Sequence, residues 1–378
     1  MTHQPAALNR RTLLKTAAVT AVGAQLFLPG RARAAAKSGT DPVLDSIIDC
    51  DSWAARPAKA PVVLSPGTTQ KIVVHHTNFP NTTDYSRERA IALAHEIQDL
   101  HMDTRGFDDT GQHFTVSRGG YILEGRHRSL ETLRGGTEQV IGAHAVSENR
   151  RSIGIESEGV YLTESPTQEL FDSVAKLCVT ICRQYRLGPH QIFGHWDFAA
   201  TLCPGAAYYP MFPVLRRKVA KELGTELADI PARTWPNIMS SSNGTVVATM
   251  QFLLRSRGYT LTPDGGFGPI SVAAVQDFQT KQGLPPATSG EVDNATWERL
   301  IVPLDANSTG DPVTGLQKML QERGQTEVTQ TGVFDTATDT AVRAAQRLHG
   351  LPETGQVDTV TWCAVVGGIA REEFAATR

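Results

Sequence analysis

An imidazole and a thiol stand eight positions apart in residues 194–205, as His195 and Cys203. Both follow a strand-like run and lie in a loop with Pro and Gly, whose turns can bring the two side chains together. Imidazole nitrogen and thiolate sulfur are the ligands that Zn²⁺ prefers. The spacing does not fit a zinc finger, which needs two close pairs of ligands. A metal at this loop therefore needs further ligands from elsewhere in the chain.

The tandem His75-His76 ends an apolar run that predicts a strand. Alternation along a strand sends the two rings to opposite faces, so that one of them is available to join His195 and Cys203. Two imidazoles and one thiolate would leave the fourth tetrahedral position open to water, as in catalytic zinc sites. A second interpretation stays open here, because a histidine on a strand is often a hydrogen-bonded polar residue without a metal.

An α/β domain must position these residues, because short β-like runs alternate with amphipathic stretches between about residues 50 and 223. Strands are predicted at 71–76, 113–116 and 152–156, and helices at 86–101 and 167–185. The predicted fold class is α/β, with a mixed central sheet flanked by helices.

The C-terminal part of the chain repeats itself. Residues recur at offsets of 66, 67 and 65, as in the pairs Leu254 and Leu320, Phe267 and Phe334, and Trp297 and Trp362. Offsets that drift by single residues are what short insertions and deletions in loops produce. Each unit predicts three short helices around a small core.

The overall composition excludes one class of partner. A net charge of −3 and a charged fraction of 20% are typical of a soluble globular protein. They provide no basic field for binding nucleic acid, so we expect no nucleic-acid partner.

Residues 1–36 have the order of an export signal. The pair Arg10-Arg11 precedes a short apolar run, and residues 32–34 read as a small-residue cleavage site. The paired arginines resemble a twin-arginine signal. The apolar run falls short of the roughly 20 residues that a spanning helix needs, so we expect no membrane contact after signal removal.

The chain has five cysteines, so an exported protein must leave at least one of them outside disulfides. We assign that role to Cys203. Cys178 and Cys182 lie one helical turn apart, which makes a mutual disulfide awkward. Either one of them pairs with Cys50 or all three are buried thiols. Cys363 is predicted to lie in a core.

Residues 47–222 resemble the peptidoglycan recognition protein and phage-lysozyme type of N-acetylmuramoyl-L-alanine amidase. Eight motifs follow the family order, at residues 53–57, 74–77, 101–107, 111–114, 120–126, 142–144, 152–156 and 195–205. The resemblance implies hydrolysis of the amide bond between N-acetylmuramic acid and L-alanine in peptidoglycan. It also implies that zinc is held by His75, His195 and Cys203.

The same resemblance bears on the catalytic roles. Many members place a tyrosine just before the position of His113, but this chain has Gln112, which cannot act as a base. Glu156 stands where a related amidase group has a carboxylate, and we expect it to be the general base; the alternative is a strand-end carboxylate paired with an arginine. Thr201 stands where the family hydrogen-bonds the substrate carbonyl or the oxyanion. His144 matches a groove histidine that does similar work.

The two C-terminal repeats resemble the peptidoglycan-binding module of many cell-wall hydrolases. The first copy fits the module, whereas the second has Asp335 in place of Gly268 and Ala345 in place of Phe278. A passive helical spacer is the alternative. The predicted organisation is a signal at 1–36, a zinc amidase domain at 47–223, a linker at 224–243, and repeats at 244–303 and 309–368.

These resemblances predict a secreted zinc amidase of the cell wall, with glycan strands and stem peptides as its partners. The second hypothesis is a receptor that binds peptidoglycan without cutting it. Three further histidines fall inside motifs and are interpreted as structural or groove-wall residues: His76, His101 and His113. Four match no motif and are interpreted as surface or helix residues: His95, His127, His190 and His349.

Overall fold

The computed structural model describes residues 41–287 and 290–375. The predicted export signal at 1–36 lies outside these ranges. Within them, no helix combines the length and the apolar character needed to cross a membrane.

The N-terminal part alternates strands and helices. The strands are β1 (Leu64–Ser65), β2 (Lys71–His76), β3 (Phe114–Val116), β4 (Ile122–Glu124), β5 (Gln139–Val140), β6 (Ser152–Ser157) and β7 (Ile192–Gly194). The helices are α1 (Pro42–Ser46), α2 (Arg87–Asp99), α3 (Ser129–Gly135), α4 (Gln168–Tyr185) and α5 (Phe212–Leu223). A π-helical turn at Leu100–Thr104 continues α2. The strands and helices predicted from the sequence are present, with small shifts at their ends.

Five strands form the central sheet in the order β4-β3-β6-β2-β7. The pairs β2-β6, β2-β7 and β3-β6 are parallel, and β4 runs antiparallel to β3. The predicted mixed sheet is therefore confirmed. β1 and β5 form a separate antiparallel pair.

Both faces of β2 are covered, which explains its continuous apolar sequence. Ile72 and Val74 pack into the main core, to which α4 and α5 contribute. Val73, on the opposite face, packs with Phe193, Phe198 and Ile369. The central strand is thus covered on one face by helices and on the other partly by the C-terminal end of the chain.

The two repeats each contain three helices, as predicted. They are α6 (Thr245–Ser256), α7 (Pro269–Lys281), α8 (Asn294–Leu300), α9 (Asp311–Glu322), α10 (Thr336–Leu348) and α11 (Thr359–Val365). Their first residues are offset by 66, 67 and 65, the same offsets that the sequence matches have. Trp297 and Trp362 are fully buried in one core that both repeats share. The repeats are therefore packed together.

Residues 224–243 are built into the fold of the C-terminal part. Within them, β8 (Arg233–Thr234) pairs antiparallel with β9 (Ile369–Ala370), which follows the second repeat. Trp235 is 2% exposed and stacks on Trp297 with ring centroids 5.7 Å apart. This segment has the composition of a linker, but its aromatic side chain anchors it in the core of the repeats.

The cysteines are all buried free thiols. Cys178 and Cys182 lie on α4 in the main core, whereas Cys50 packs with Trp53 in a separate cluster. A disulfide from Cys50 to either of them is therefore not formed, and the alternative of three buried thiols holds. Cys363 is fully buried in the core of the repeats, as predicted.

Candidate active site

Three neighbouring strands present their side chains to the site at paired positions. Glu156 on β6 pairs with His75 on β2 and with Thr115 on β3. Paired residues of adjacent strands point to the same face of a sheet. The register therefore brings His75, Glu156 and Thr115 to one face, in a row across the sheet. Thr115 was not among the predicted site residues, although its position two residues after His113 on a strand was a usable signal.

The segment after β7 brings the second and third candidate ligands to His75. β7 ends at Gly194, and a 3₁₀ turn at His195–Asp197 follows directly. The rings of His75 and His195 lie 4.5 Å apart between centroids. Cys203 Sγ lies 3.6 Å from His75 Nδ1 and accepts a hydrogen bond of 3.2 Å from the backbone N–H of His76. One ligand atom from each of His75, His195 and Cys203 falls within 4.8 Å of the others.

The protonation chemistry of these three side chains fits a zinc ion. Burial lowers the pKa of His195 to about 4, and burial together with the neighbouring histidines lowers that of His75 well below its ordinary value. Both imidazoles are therefore neutral near pH 7 and have a lone pair for a metal. Burial raises the pKa of the Cys203 thiol. A thiolate at this position needs a compensating cation, which a divalent metal would provide.

Glu156 stands beside this cluster as a partly buried carboxyl group. Burial raises its pKa to about 7, against the opposing effect of the Arg105 guanidinium. Within the described residues its carboxylate makes no hydrogen bond or ion pair. The alternative interpretation, a carboxylate paired with an arginine, therefore has no ion pair to support it. Glu156 is free to exchange a proton with a group in the site.

His144 packs against the first candidate ligand. Its Nδ1 lies 2.9 Å from His75 Nε2, and its Nε2 lies 3.5 Å from Ser152 Oγ. A Cβ atom added at Gly142 or Gly154 would come within 2.6 Å of the His144 ring. These two motif glycines therefore leave the space that the ring occupies. Because both ring nitrogens face protein atoms, the geometry favours a positioning role for His144 over contact with an oxyanion.

Thr201 lies in the loop between the second and third candidate ligands. Its Oγ1 accepts a hydrogen bond of 3.1 Å from the backbone N–H of Cys203. This bond uses an acceptor lone pair and leaves the hydroxyl proton for another acceptor. The Thr201 hydroxyl can therefore support the loop and, at the same time, donate a hydrogen bond to a substrate oxygen.

Gln112 is 1% exposed and turned to the protein interior. Its Nε2 donates to Thr115 Oγ1 at 2.8 Å, and its Oε1 has no hydrogen-bond partner within the described residues. The side chain thus links β3 to the loop before it through Thr115, which lies next to Glu156. An amide cannot take a proton from water, so Gln112 contributes structure to the site.

Three motif histidines bond to the backbone, as their structural interpretation predicts. The Nδ1 atoms of His76, His101 and His113 accept from backbone N–H groups of Tyr161, Gly111 and Gly154, at 3.3, 3.0 and 3.0 Å.

His349 was interpreted as a surface or helix residue, but it does not lie on the surface. It is 6% exposed, and its Nδ1 lies 2.9 Å from Glu373 Oε2. Sequence spacing could not show that the residue after α10 meets Glu373 near the C-terminal end of the chain.

A cleft of about 310 Å³ opens beside the candidate ligands. His144, His195 and Phe198 line it from the N-terminal part, and Ser241 and Asn243 line it from the segment before the first repeat. The C-terminal part therefore contributes a wall to the cleft.

Two known family patterns cover most of the described chain. Residues 65–206 match the N-acetylmuramoyl-L-alanine amidase family. Residues 243–300 and 309–365 each match the putative peptidoglycan binding domain. The first range lies within the sheet domain, and the other two contain the three helices of each repeat.

The chain is similar to curated proteins of animals. Over 164 residues it is 28% identical to peptidoglycan-recognition protein LB of Drosophila melanogaster, covering 43% of this chain and 66% of that protein. Over 142 residues it is 31% identical to an N-acetylmuramoyl-L-alanine amidase of Sus scrofa, covering 37% of this chain and 22% of that protein. The chain thus spans less than two thirds of the length of either relative.

Solved structures give similar matches. The ectodomain complex of peptidoglycan recognition proteins LCa and LCx with tracheal cytotoxin matches at 30% identity and a TM-score of 0.38, covering 44% of this chain and 93% of that chain. Wild-type Drosophila PGRP-LB matches at 28% identity and a TM-score of 0.38, covering 43% and 89%. From the family matches, residues 65–206 form a domain of the N-acetylmuramoyl-L-alanine amidase family, followed by two putative peptidoglycan-binding domains.

Proposed function

We propose that this chain is a zinc-dependent amidase that hydrolyses the bond between N-acetylmuramic acid and L-alanine in bacterial peptidoglycan. One observation carries the proposal. Two distant segments, one with His75 and the other with His195 and Cys203, converge beside Glu156, whose carboxyl group makes no ion pair with the described residues. The amidase family match and the similarity to a curated amidase support the same reaction.

Hydrolysis of an amide needs an activated water, an acceptor for its proton and stabilisation of the oxyanion. His75, His195 and Cys203 would hold the zinc ion, with a fourth position left for water or substrate. When bound, zinc lowers the pKa of water toward about 7 and polarises the scissile carbonyl. The remaining steps depend on the side chains around it.

Glu156 is proposed as the general base. Its pKa, raised by burial to about 7, lets the carboxylate accept a proton from water near neutral pH and return it to the leaving amine. The absence of an ion pair within the described residues leaves its oxygens available for both transfers. On this account, the shared sheet face with His75 keeps the base close to the reacting water.

Thr201 and His144 are proposed to assist in different ways. The Thr201 hydroxyl would donate a hydrogen bond to the substrate carbonyl or to the oxyanion, since its oxygen already accepts from the Cys203 N–H. His144 would orient His75 through their contact of 2.9 Å. Residues that hold a metal-binding histidine by its second nitrogen tune both its direction and its basicity.

A second candidate function is recognition of peptidoglycan without cleavage. The observation that favours it is Gln112, which stands where many amidases of this family have a tyrosine and which is turned into the protein interior. Several relatives are also named as recognition proteins. Cys203 argues for the enzyme, because a receptor has no need of a third ligand placed 3.6 Å from His75.

The proposed partner is peptidoglycan, through its glycan strands and stem peptides. The two C-terminal domains match the putative peptidoglycan-binding family, which supports binding to the wall. We further propose that the twin-arginine signal directs export to the cell wall or the medium. That route carries folded proteins, so zinc could be bound before the Cys203 thiol meets an oxidising compartment.

The direct test is to incubate the mature protein with purified peptidoglycan and identify the new amino termini. Wild type should release stem peptides that begin with L-alanine, and Glu156→Gln should keep its metal but lose turnover by at least about 100-fold. Glu169→Gln, an exposed glutamate in the first turn of α4, is the matched control and should behave as wild type. Binding to walls without release of peptides would favour the receptor.

A further inference from the structure

The loop that carries His195 is held from outside the amidase domain. Asp197, two residues later, is fully buried, and its carboxylate accepts three hydrogen bonds. Gly194 N donates to Oδ2 at 2.8 Å, while Tyr209 Oη and Arg323 Nη2 donate to Oδ1 at 2.5 and 2.9 Å. Gly194 and Tyr209 belong to the amidase domain. Arg323 follows α9 in the second repeat, 126 positions further along the chain.

The Arg323 side chain is itself enclosed at this contact. It is 12% exposed, and its guanidinium carbon lies 4.3 Å from the centroid of the Tyr209 ring and 5.5 Å from that of Trp196. Stacking on aromatic faces and pairing with a carboxylate are the two interactions for which arginine is suited. Removing either charge would leave the other buried without a counter-charge, which is strongly unfavourable.

The backbone of the second repeat also approaches Asp197 very closely. A Cβ atom at Gly367 would lie 2.1 Å from Asp197 Oδ1 and 2.8 Å from Arg323 Nη2. The φ angle of Gly367 is +91°, a conformation that favours glycine. Glycine at this position therefore permits the contact between the repeat and the loop.

The corresponding arginine of the first repeat has a different role. Arg257, at the same place after α6, donates from Nη2 to the carbonyl oxygens of Leu300 and Ile301 in its own repeat, at 3.2 and 3.0 Å. Both repeats thus have an arginine here, but only Arg323 reaches a carboxylate of the amidase domain.

The C-terminal part also holds the loop at a second point. The backbone N–H of Ala200 donates to Asn243 Oδ1 at 2.8 Å. Asn243 precedes the first repeat and lines the cleft beside His195. The loop is therefore fixed at Asp197 by the second repeat and at Ala200 by the segment before the first.

We infer that Arg323 is a positioning residue for the metal site: through Asp197 it holds His195 where it can share a zinc ion with His75 and Cys203. This inference rests on the proposed function. The second repeat then supports the active site in addition to any binding of the wall. Changes in residues that orient metal ligands typically weaken metal binding by about 10-fold to 100-fold.

The test measures zinc affinity of the full chain by competition with a chelator, for wild type, Arg323→Met and Arg323→Lys. Methionine keeps apolar contact with Tyr209 but removes the charge and the donors, so zinc binding should weaken by about 10-fold to 100-fold. Lysine restores a charge near Asp197 and should recover part of the loss. With Co²⁺ at saturating concentration, the absorption spectrum of Arg323→Met should differ from that of wild type, because the ligand geometry has changed.

Arg257→Met is the matched control, since Arg257 is exposed and its side chain bonds, among the described residues, within the first repeat. It should bind zinc as wild type does. Equal zinc affinity and equal Co²⁺ spectra in wild type and Arg323→Met would overturn this inference and leave the proposed function intact. Equal weakening in Arg257→Met would also overturn it, because the effect would then be general. Absence of zinc from wild type would overturn the proposed function, and this inference with it.

Discussion

The two repeats have the same three helices, but the ends of those helices meet different neighbours. After α6, Arg257 bonds to carbonyl groups of its own repeat, whereas after α9 the equivalent Arg323 pairs with Asp197 of the amidase domain. Repeat 2 thus contacts the amidase domain through an arginine whose counterpart in repeat 1 bonds within its own repeat. The repeated residues determine the internal core of each unit. Which neighbour the surface of a unit contacts depends on the position of that unit in the chain.

The positions at which repeat 2 departs from repeat 1 fit this difference. Phe278 is 3% exposed in the core of repeat 1, next to Tyr259. Its counterpart Ala345 borders a cavity of about 240 Å³ that repeat 2 shares with Trp196 and Tyr209 of the amidase domain. The smaller side chain therefore lies where the two domains meet.

The other departure concerns a helix start. Asp335, the counterpart of Gly268, caps α10 by accepting from the backbone N–H of Thr338 at 2.8 Å. Gly268 begins α7 without a side-chain cap. At an N-cap, aspartate is more favourable than glycine by only about a few tenths of a kcal/mol. This substitution therefore slightly stabilises α10, the helix of repeat 2 that His349 follows.

The largest effect should follow from removing the C-terminal part. A chain that ends at residue 235 would expose Phe198 and leave Asp197 and Arg216 without their ion-pair partners. Activity on short soluble muropeptides should therefore fall by more than about 100-fold, because the ligand loop is misplaced. The measurement is kcat/KM of the truncated and the full chain, each on such a fragment and on whole walls.

Anchoring alone gives a different expectation for the same truncation. Repeats that only raise the local concentration on a polymer would be needed on walls and dispensable on short fragments. Full activity of the truncated chain on fragments would therefore contradict the docked role of repeat 2.

The next largest effect should follow from breaking the buried ion pair that joins α5 to the C-terminal end. Glu373 is fully buried and contacts Arg216 at 3.0 Å and His349 at 2.9 Å. Glu373→Ala should lower the free energy of unfolding in urea by about 3 to 5 kcal/mol, since Arg216 is left buried without a counter-charge. The exposed neighbour Glu372 provides the control, and Glu372→Ala should have little effect.

The same pair predicts a dependence of stability on pH. Burial opposes ionisation of Glu373, but Arg216 and His349 outweigh it and lower its pKa below the ordinary 4.5. A carboxyl group with a lowered folded-state pKa stabilises the fold above 4.5 and loses that contribution as the pH falls through the folded pKa. Urea unfolding should show this loss below pH 4.5 in wild type and a smaller loss in Glu373→Gln. Identical pH profiles would exclude Glu373 as the source.

A smaller effect on stability should follow from replacing glycines that have a positive φ angle, and two such glycines distinguish steric contact from backbone strain. Gly367 and Gly258 have nearly the same φ angles, +91° and +90°, but a Cβ at Gly258 would meet no atom within 4 Å. Gly258→Ala should therefore cost about 1 to 2 kcal/mol from conformation alone. Gly367→Ala should cost more and should also weaken zinc binding, because it pushes on Asp197. Equal costs in thermal unfolding would show that the contact of repeat 2 with the loop is not tight.

The sequence predicted the elements and the candidate ligands better than their surroundings. Alternation in β2 and helical spacing in α4 reflect burial within one element, which is local information. The resemblance to amidases named His75, His195 and Cys203, and the fold brings these three together. Local sequence patterns were sufficient for these predictions because each motif lies within one strand or loop.

Contacts between distant segments were beyond the sequence. Nothing in the local pattern links Asp197 with Arg323, because their pairing depends on how the repeats pack. The composition of residues 224–243 suggested a linker, but burial of Trp235 against Trp297 decides its structure. His349 was missed for the same reason, since its partner Glu373 lies on another element.

The central claim is that His75, His195 and Cys203 hold one zinc ion at the active site. X-ray absorption at the zinc edge of the purified full chain tests it directly, with Cys203→Ser for comparison. The account predicts one zinc per chain, with nitrogen neighbours at about 2.0 Å and one sulfur neighbour at about 2.3 Å, and loss of the sulfur neighbour in Cys203→Ser. A wild-type protein without zinc, or with zinc that has no sulfur neighbour, would contradict the account.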